Sequence, residues 1–435
     1  MTVTPTPQSS PYEFVGEIPG LGSLELKQLA QSYAELDTTS LEEFFPTQNI
    51  IPRTITIETV KTSLGLMRMV DMGQVDAASM ANDRIERRTV EPAVFRESDF
   101  FDIGFINQIR EYGTLNEATP ADEMIQRRIR KLVDKRNRTI DYFRTQVLLG
   151  GIDYTDPITK AVCKVSTQIP QHNFFHYNGY NDTKTPGASI GVNGYTAYDN
   201  LENNKNRPEA LFFKTVDDKI GAPWTEPKSD ILHTLKYIQN WLRNTNKNVY
   251  TDIVMSHDLK TVLMENQLIK SYSGQYGVFN WELGSTRGQN IPTVGGTTPM
   301  VTFGPGGDLV SIGGLNIITV DNMFLNPRTN KHEKMWPNNV VAIVARRHFR
   351  DTQETIGQTV HPVAEGPNQQ PGMWMWSSDV EYDPPNPPGR AVQIGDSFLP
   401  YATYPQWICI LTVAEEEDVY SNTLLRSDLD YGFAF

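Results

Sequence analysis

The chain has 435 residues, 39% of them hydrophobic, and 52 acidic against 39 basic side chains give it a formal charge of −13. That length allows two or three domains with substantial cores, and the acidic balance argues against a protein that wraps nucleic acid through its phosphates, which needs basic charge at least locally. Apolar runs fall short of the ~20 residues that cross a bilayer, and the N-terminus lacks a basic segment followed by an apolar one, so synthesis and folding in a cytoplasm without membrane contact are expected.

Residues 1–20, rich in Thr, Pro and Ser, read as an extended arm. Leu24 to Leu36 has helical spacing, and Leu41 to Phe45 forms a short apolar anchor before Pro46. From Pro52 to Phe105 the period changes to two. Ile55 and Ile57 alternate with polar residues, a second extended run follows at Leu64 to Val70, and a third at Arg84 to Phe95. These strands carry polar residues on much of both faces, so part of their burial is expected from a neighbouring molecule.

Thr119 to Gly151 is the stretch with a complete helix grammar. Thr119 is the expected N-cap, Pro120 the first helical residue, Asp122 and Glu123 favour the positive end of the dipole, and Gly150 and Gly151 supply the stop. Ile125, Ile129, Leu132, Ile140, Phe143 and Val147 form the apolar stripe, with Arg136 interrupting it. Such a helix is roughly 45 Å long and must lie across something extended. Arg127, Arg128, Arg130, Lys131, Lys135 and Arg138 on its other face could mark a nucleic-acid footprint, but a solvated face, or one paired with acidic neighbours, is the commoner meaning.

Ile152 to Gln168 reads as a hairpin turning at Asp156 and Pro157, and 169–226, dominated by Asn, Tyr, Gly and Pro, as a surface insertion. Ser229 and Asp230 can cap a helix with the stripe Ile231, Leu235, Ile238 and Leu242. The strand Tyr250 to Met255 follows, and Ser256 can cap a second helix from His257 to about Ile269. Further strands are expected at Asn316 to Val320, Val340 to Ala345 and Trp407 to Val413, the last after a Pro-rich loop from Asp383 to Arg390. A strand so late must pair with something made much earlier.

Candidate chemistry is thin. His172 and His176 have metal-compatible spacing only on a helix, which their neighbours oppose. The glycines from Phe303 to Gly314 lack the strand-GxGxxG-helix context of a dinucleotide site and read as a loop or hairpin. Trp374 and Trp376 could form a sugar-stacking platform, although packing or an inter-subunit contact is the commoner use. The acidic cluster Glu415 to Asp418 fits no calcium loop. Cys163 and Cys409, without metal spacing, read as small buried hydrophobes in a reducing compartment. GxSxG, HExxH, Walker and paired Cys/His signatures are missing, so no catalytic, cofactor-binding or metal residue is assigned.

The order of elements carries more than any motif. The sequence resembles the lambda-type major head protein family of tailed phages, in the arm ending LEEFFPTQNI (Leu41 to Ile50), the excursion RTITIETV to FRESDFFD, and the Arg-rich helix MIQRRIRKLVDKRNRTIDYF. It continues through GAPW (Gly221 to Trp224) and NVYTDIVMSHDLKTVLMEN (Asn248 to Asn266). The resemblance implies an α+β Hong Kong 97-type fold: an N-terminal arm at 1–50, an E-loop at 51–103, a peripheral domain at 104–168 with its spine helix at 119–149, the insertion at 169–226, an axial domain at 227–399, and a return to the peripheral domain at 400–435. It implies a structural role without enzymatic activity or cofactor. Hexamers and pentamers would form an icosahedral head, synthesised and assembled in the host bacterial cytoplasm, with portal, scaffolding and decoration proteins as partners and packaged DNA held non-specifically. Phe44 and Phe45 in the arm, with Ile55, Ile57, Leu66 and Met69 in the E-loop, are the expected inter-subunit contacts. An encapsulin-type cellular shell and a carbohydrate-binding or carbohydrate-active protein are the alternatives.

Overall fold

The computed structural model describes residues 41–52, 54–61, 84–102, 118–156, 159–170, 173–177, 213–217, 221–246, 250–270, 301–304, 308–326, 331–345, 355–363, 371–380, 389–415 and 419. The helix expected at Leu24 to Leu36, the extended run Leu64 to Val70, and with it Leu66 and Met69, lie outside the described residues. In chain order the strands are β1 (Thr47–Asn49), β2 (Ile55–Lys61), β3 (Arg84–Val90), β4 (Ala93–Asp102), β5 (Gly151–Thr155), β6 (Val162–Ser166), β7 (Phe174–His176), β8 (Asp252–Met255) and β9 (Val301–Phe303). They continue with β10 (Leu309–Ile312), β11 (Leu315–Thr319), β12 (Met323–Asn326), β13 (Lys331–Lys334), β14 (Val340–Val344), β15 (Gly357–His361), β16 (Trp374–Val380), β17 (Gly389–Ala402) and β18 (Ile408–Thr412). The helices are α1 (Ala118–Leu148), α2 (Ile231–Asn246) and α3 (His257–Glu265).

Two cores share one sheet. Its seven strands run β7-β18-β14-β8-β11-β10-β9. The central strands read as nearly unbroken apolar runs, VVAIV and ICILT, because both faces are covered. Alternate residues sort to opposite sides. Val341, Ile343, Cys409, Leu411, Ile253 and Met255 pack with Ile231, Leu235, Ile238 and Leu242 of α2 and Leu259 and Leu263 of α3. Val340, Ala342, Val344, Ile408, Ile410 and Val254 pack with Ile140, Phe143 and Val147 of α1 and with Leu41, Phe44 and Phe45.

Local chemistry fixes the first helix pair as the spacing predicts. Asp230 accepts from the His233 amide at 3.0 Å and so caps α2, while Ser256 accepts from the Leu259 amide at 3.2 Å and caps α3. The Ser229 hydroxyl takes no part in capping; the Ser229 carbonyl instead accepts from Asn266 Nδ2 at 2.9 Å. Asn266 also ends α3 early, in extended conformation, and its side chain accepts the amide of Leu268 at 3.0 Å to start the next turn.

The second layer is a five-stranded sheet in which β17 is the common member. It pairs β15 over Gly357↔Ala402 to Val360↔Leu399, β16 over Trp374↔Gly395 to Val380↔Gly389, and β4 over ten positions from Ala93↔Phe398 to Asp102↔Gly389. Beside it lies α1. Phe95 of β4 stacks on Phe398 at 4.7 Å and meets Phe143 of α1 edge-on at 5.4 Å. The third extended run is therefore two strands, broken at Glu91 and Pro92: β3 pairs β2 in a two-stranded ribbon, and β4 leaves it for β17.

α1 differs from its sequence pattern at the start and on its face. It begins at Ala118, so Thr119 is inside it, and Asp122 and Glu123 fall beyond the first turn. Val133 rather than Leu132 is buried, and Asn137, Asp141 and Arg144 are buried with it, so the inward face is far more polar than one interruption at Arg136. The stop is where the glycines put it. Gly150 and Gly151 take φ of 118° and 153°, and the Gly150 amide donates to the Val147 carbonyl at 3.2 Å.

Two segment boundaries move. A division at 399/400 cuts β17 near its end, and β18 joins the seven-stranded sheet beside β14. The ends of 169–226 are core rather than surface: β7 pairs β18 in parallel, and Phe175, Phe213 and Trp224 are at most 3% exposed.

Candidate functional site

The four described contact candidates do not reach the surface. Phe44 and Phe45 are 0% exposed, Ile55 2% and Ile57 1%, all within the core that α1 shares with the seven-stranded sheet. The apolar anchor at Leu41 to Phe45 is thus an anchor in its own subunit. Phe45 lies across Gly357, where a Cβ would come within 2.9 Å of its ring and 2.0 Å of the Tyr401 carbonyl oxygen. These side chains cannot serve as inter-subunit contacts, because no surface of theirs is left to bury.

Between α1 and the five-stranded sheet runs a buried polar seam that sequence spacing does not reveal. Arg136 donates to Asp396 Oδ2 at 2.6 Å, and Asp396 Oδ1 lies 3.0 Å from His361 Nδ1, which joins α1, β17 and β15. Burial pushes the Asp396 carboxyl up, but the Arg136 guanidinium and His361 outweigh it and hold it below the usual carboxylate range. One and two turns further on, Asp141 and Arg144 continue the seam. Arg144 donates to Thr359 Oγ1 at 3.0 Å and to the Phe45 carbonyl at 3.2 Å, and burial lowers its pKa against the pull of Asp141. A guanidinium that satisfies the carbonyl of Phe45 pins the 41–49 segment to the helix. The signal available in the sequence was the eight-residue step between two arginines on an otherwise apolar stripe.

The opposite face of the same sheet is differently built. Residues paired across antiparallel strands share a face, so Arg96, Gly395 and Trp374 stand together, as do Ser98, Gln393 and Trp376. Gly395 is a notch: a Cβ there would lie 2.2 Å from the Trp374 ring. Trp374 fills the notch and is 5% exposed, Arg96 sits 5.8 Å over its ring, and its Nε1 is buried without a hydrogen-bond partner. Around it Val94 is 47% exposed, Phe100 37% and Trp376 45%. An indole donor without an acceptor, ringed by exposed apolar side chains, is a surface suited to cover by another chain.

On the helix side, Arg128 lies 3.5 Å from Asp99 and Lys135 pairs with Glu97, both acids on β4. Two of the six basic residues thus follow the reading of a face paired with acidic neighbours. His176 is on a strand and stacks on Tyr177 at 4.8 Å, which removes the helical spacing a metal reading needs; His172 lies outside the described residues. Among the described residues, no group of three His, Cys, Asp or Glu could hold a metal ion. Phe303 to Gly314 spans a β9–β10 hairpin and the turn after it. Cys163 and Cys409 are buried, and burial raises the Cys163 thiol to about 11 and Cys409 well above its ordinary value.

Residues 25–184 match the family model described as phage major capsid protein E. The fold is similar to that of a protein from an Escherichia coli CFT073 prophage, assigned as its capsid protein, with a TM-score of 0.51 and 9% identity over 89% of this chain and 99% of that one. Over residues 25–184 the chain is thus similar to a phage major capsid protein, and its fold is similar to that of a prophage capsid protein. More distant likenesses to this chain are a phage-related protein of Bordetella bronchiseptica RB50 (TM-score 0.43, 8% identity, 89% and 97% covered) and the capsid of cyanophage P-SCSP1u (TM-score 0.41, 10% identity, 87% and 89% covered). No curated protein matches the chain's sequence. Its α+β architecture is similar to the fold of the prophage protein.

Proposed function

We propose that copies of this protein ring into hexamers and pentamers through heterologous contacts and close into an icosahedral head around double-stranded phage DNA. The observation that carries this reading is the outward face of β4, β17 and β16, with its exposed Val94, Phe100 and Trp376 beside the unpaired Trp374 indole. We assign the five-stranded sheet with α1 to a peripheral domain, the seven-stranded sheet with α2 and α3 to an axial domain, and the β2–β3 ribbon to an E-loop. Ile55 and Ile57 root the ribbon in its own subunit, and because a two-stranded ribbon is marginal alone, its far end is the part favoured to lie on an adjacent subunit. Inter-subunit contact then falls to Val94, Phe100 and Trp376 in place of the four buried side chains. The role is structural throughout, without catalysis; portal, scaffolding and decoration proteins are the further partners, and assembly takes place in the host bacterial cytoplasm.

Mass photometry and negative-stain imaging of the purified protein, alone and co-expressed with its genomic neighbours, test the assembly. Shells or five- and six-fold rings are expected, and a strict monomer in both conditions at high concentration would overturn it. Trp376→Asp should leave the melting temperature of the subunit within a few degrees of the wild type and abolish shells, because a charge on a surface that a neighbour buries has no partner there. Normal shells from this variant would remove the outward face from the assembly contacts.

A further inference from the structure

Of the eight basic side chains on α1, Arg136 and Arg144 lie in the buried seam and Arg128 and Lys135 are tied to β4, and three of the remaining four raise a separate question. At 3.6 residues per turn, Arg127, Lys131 and Arg138 fall within about 40° of one another around the helix. They point away from the side that buries Ile129, Val133 and Ile140, and all three are exposed. No acidic side chain pairs with them among the described residues. Arg130, also exposed, flanks the ridge, and Asp134 is the one acid between its ends. The result is a straight basic ridge about 16 Å long, on a chain whose formal charge is −13.

We propose that this ridge is the surface through which the shell protein touches the phosphate backbone of the duplex it encloses, an inference that rests on the DNA-containing shell proposed above. A length of 16 Å of duplex presents about ten phosphate charges, enough to engage every cation of the ridge at once. Two of the three central cations are arginines, whose planar fork suits phosphate oxygens better than a point charge does. The rest of the molecule repels a polyanion, so contact is steered to this line. The competing occupant is an acidic segment of a second copy, such as Glu415 to Asp418. That segment offers four adjacent carboxylates, too short to span the ridge. Contact through phosphates alone is sequence-independent and gives way as salt rises, which allows DNA to be packed and released again.

The test measures binding of a fluorescent 30-base-pair duplex to the purified protein between 50 and 200 mM salt. Three engaged cations give a log–log salt slope of roughly −2.7, a loss of roughly forty-fold across that range. The variant Arg127→Gln/Lys131→Gln/Arg138→Gln, which keeps good helix formers at exposed sites, should bind at least ten-fold more weakly at 50 mM with a slope near zero. An equal loss of charge elsewhere, Lys164→Gln/Lys228→Gln/Lys270→Gln, should change neither. The proposal is overturned if the ridge variant binds like the wild type, if the control weakens as much, or if the wild type binds a poly-glutamate peptide in preference to duplex. Imaging the ridge variant separates the two readings: shells that form normally while duplex binding is unchanged remove the ridge and leave the shell reading standing.

Discussion

Ile57 shows why a residue's pattern and its use can part. Alternation with polar neighbours and membership of a long excursion both suggest a side chain reserved for a neighbour, yet it is 1% exposed in its own subunit's core. Ile57→Asp should therefore unfold the subunit rather than merely block assembly, costing roughly 4 kcal/mol or more through the lost packing and an unpaired buried charge. Circular dichroism melting of the soluble fraction checks this, and a folded, unassembled subunit would contradict the burial. Asp396 carries the pH prediction. Its folded pKa is depressed, so its stabilising contribution is fully present above the unfolded value of about 3.9 and is lost as pH falls through the lower folded value. Asp396→Asn should accordingly lower the urea midpoint at pH 6 and narrow its difference from the wild type towards pH 3. Equal differences at both pH values would show that the carboxylate's charge contributes nothing.

At the scale of elements, hydrophobic periodicity is read most securely where burial is one-sided or complete. The stripe of α2, the runs of β14 and β18 and the hairpin of β5 and β6 were all legible, since each is dictated by local spacing and turn chemistry. For α2 the cap can be weighed directly. Asp230→Ala should cost about 1 kcal/mol by removing the acceptor of the His233 amide, whereas Ser229→Ala should cost less, and a thermal melt of the two variants ranks them. α1 was legible in extent but not in its inward face. Arg136, Asp141 and Arg144 look misplaced on an apolar stripe until their partners Asp396, Asn322 and Thr359 are known, and those lie between 181 and 260 residues away in the chain. The Trp374 notch is hidden for the same reason, since only the register of β16 on β17 brings the indole over Gly395.

For the whole molecule, the order of elements made the architecture recognisable but left open which side chains face outward, since four of the expected contact residues are buried in their own subunit and exposure depends on what tertiary packing leaves uncovered. The late apolar strand does pair with much earlier chain, but in a place the sequence could not fix: β18 lies between β7 and β14 in the seven-stranded sheet, contributing Ile408 and Ile410 to one core and Cys409 and Leu411 to the other. This has a consequence during synthesis. A growing chain holds neither core complete until residue 412 has cleared the ribosome, so a nascent or prematurely terminated subunit keeps both faces of its central sheet open. In the shell proposed above, the strand would act as a proofreading step: a chain interrupted before β18 would lack the folded body that must precede any lattice contact, and would not be built into a wall as a flaw.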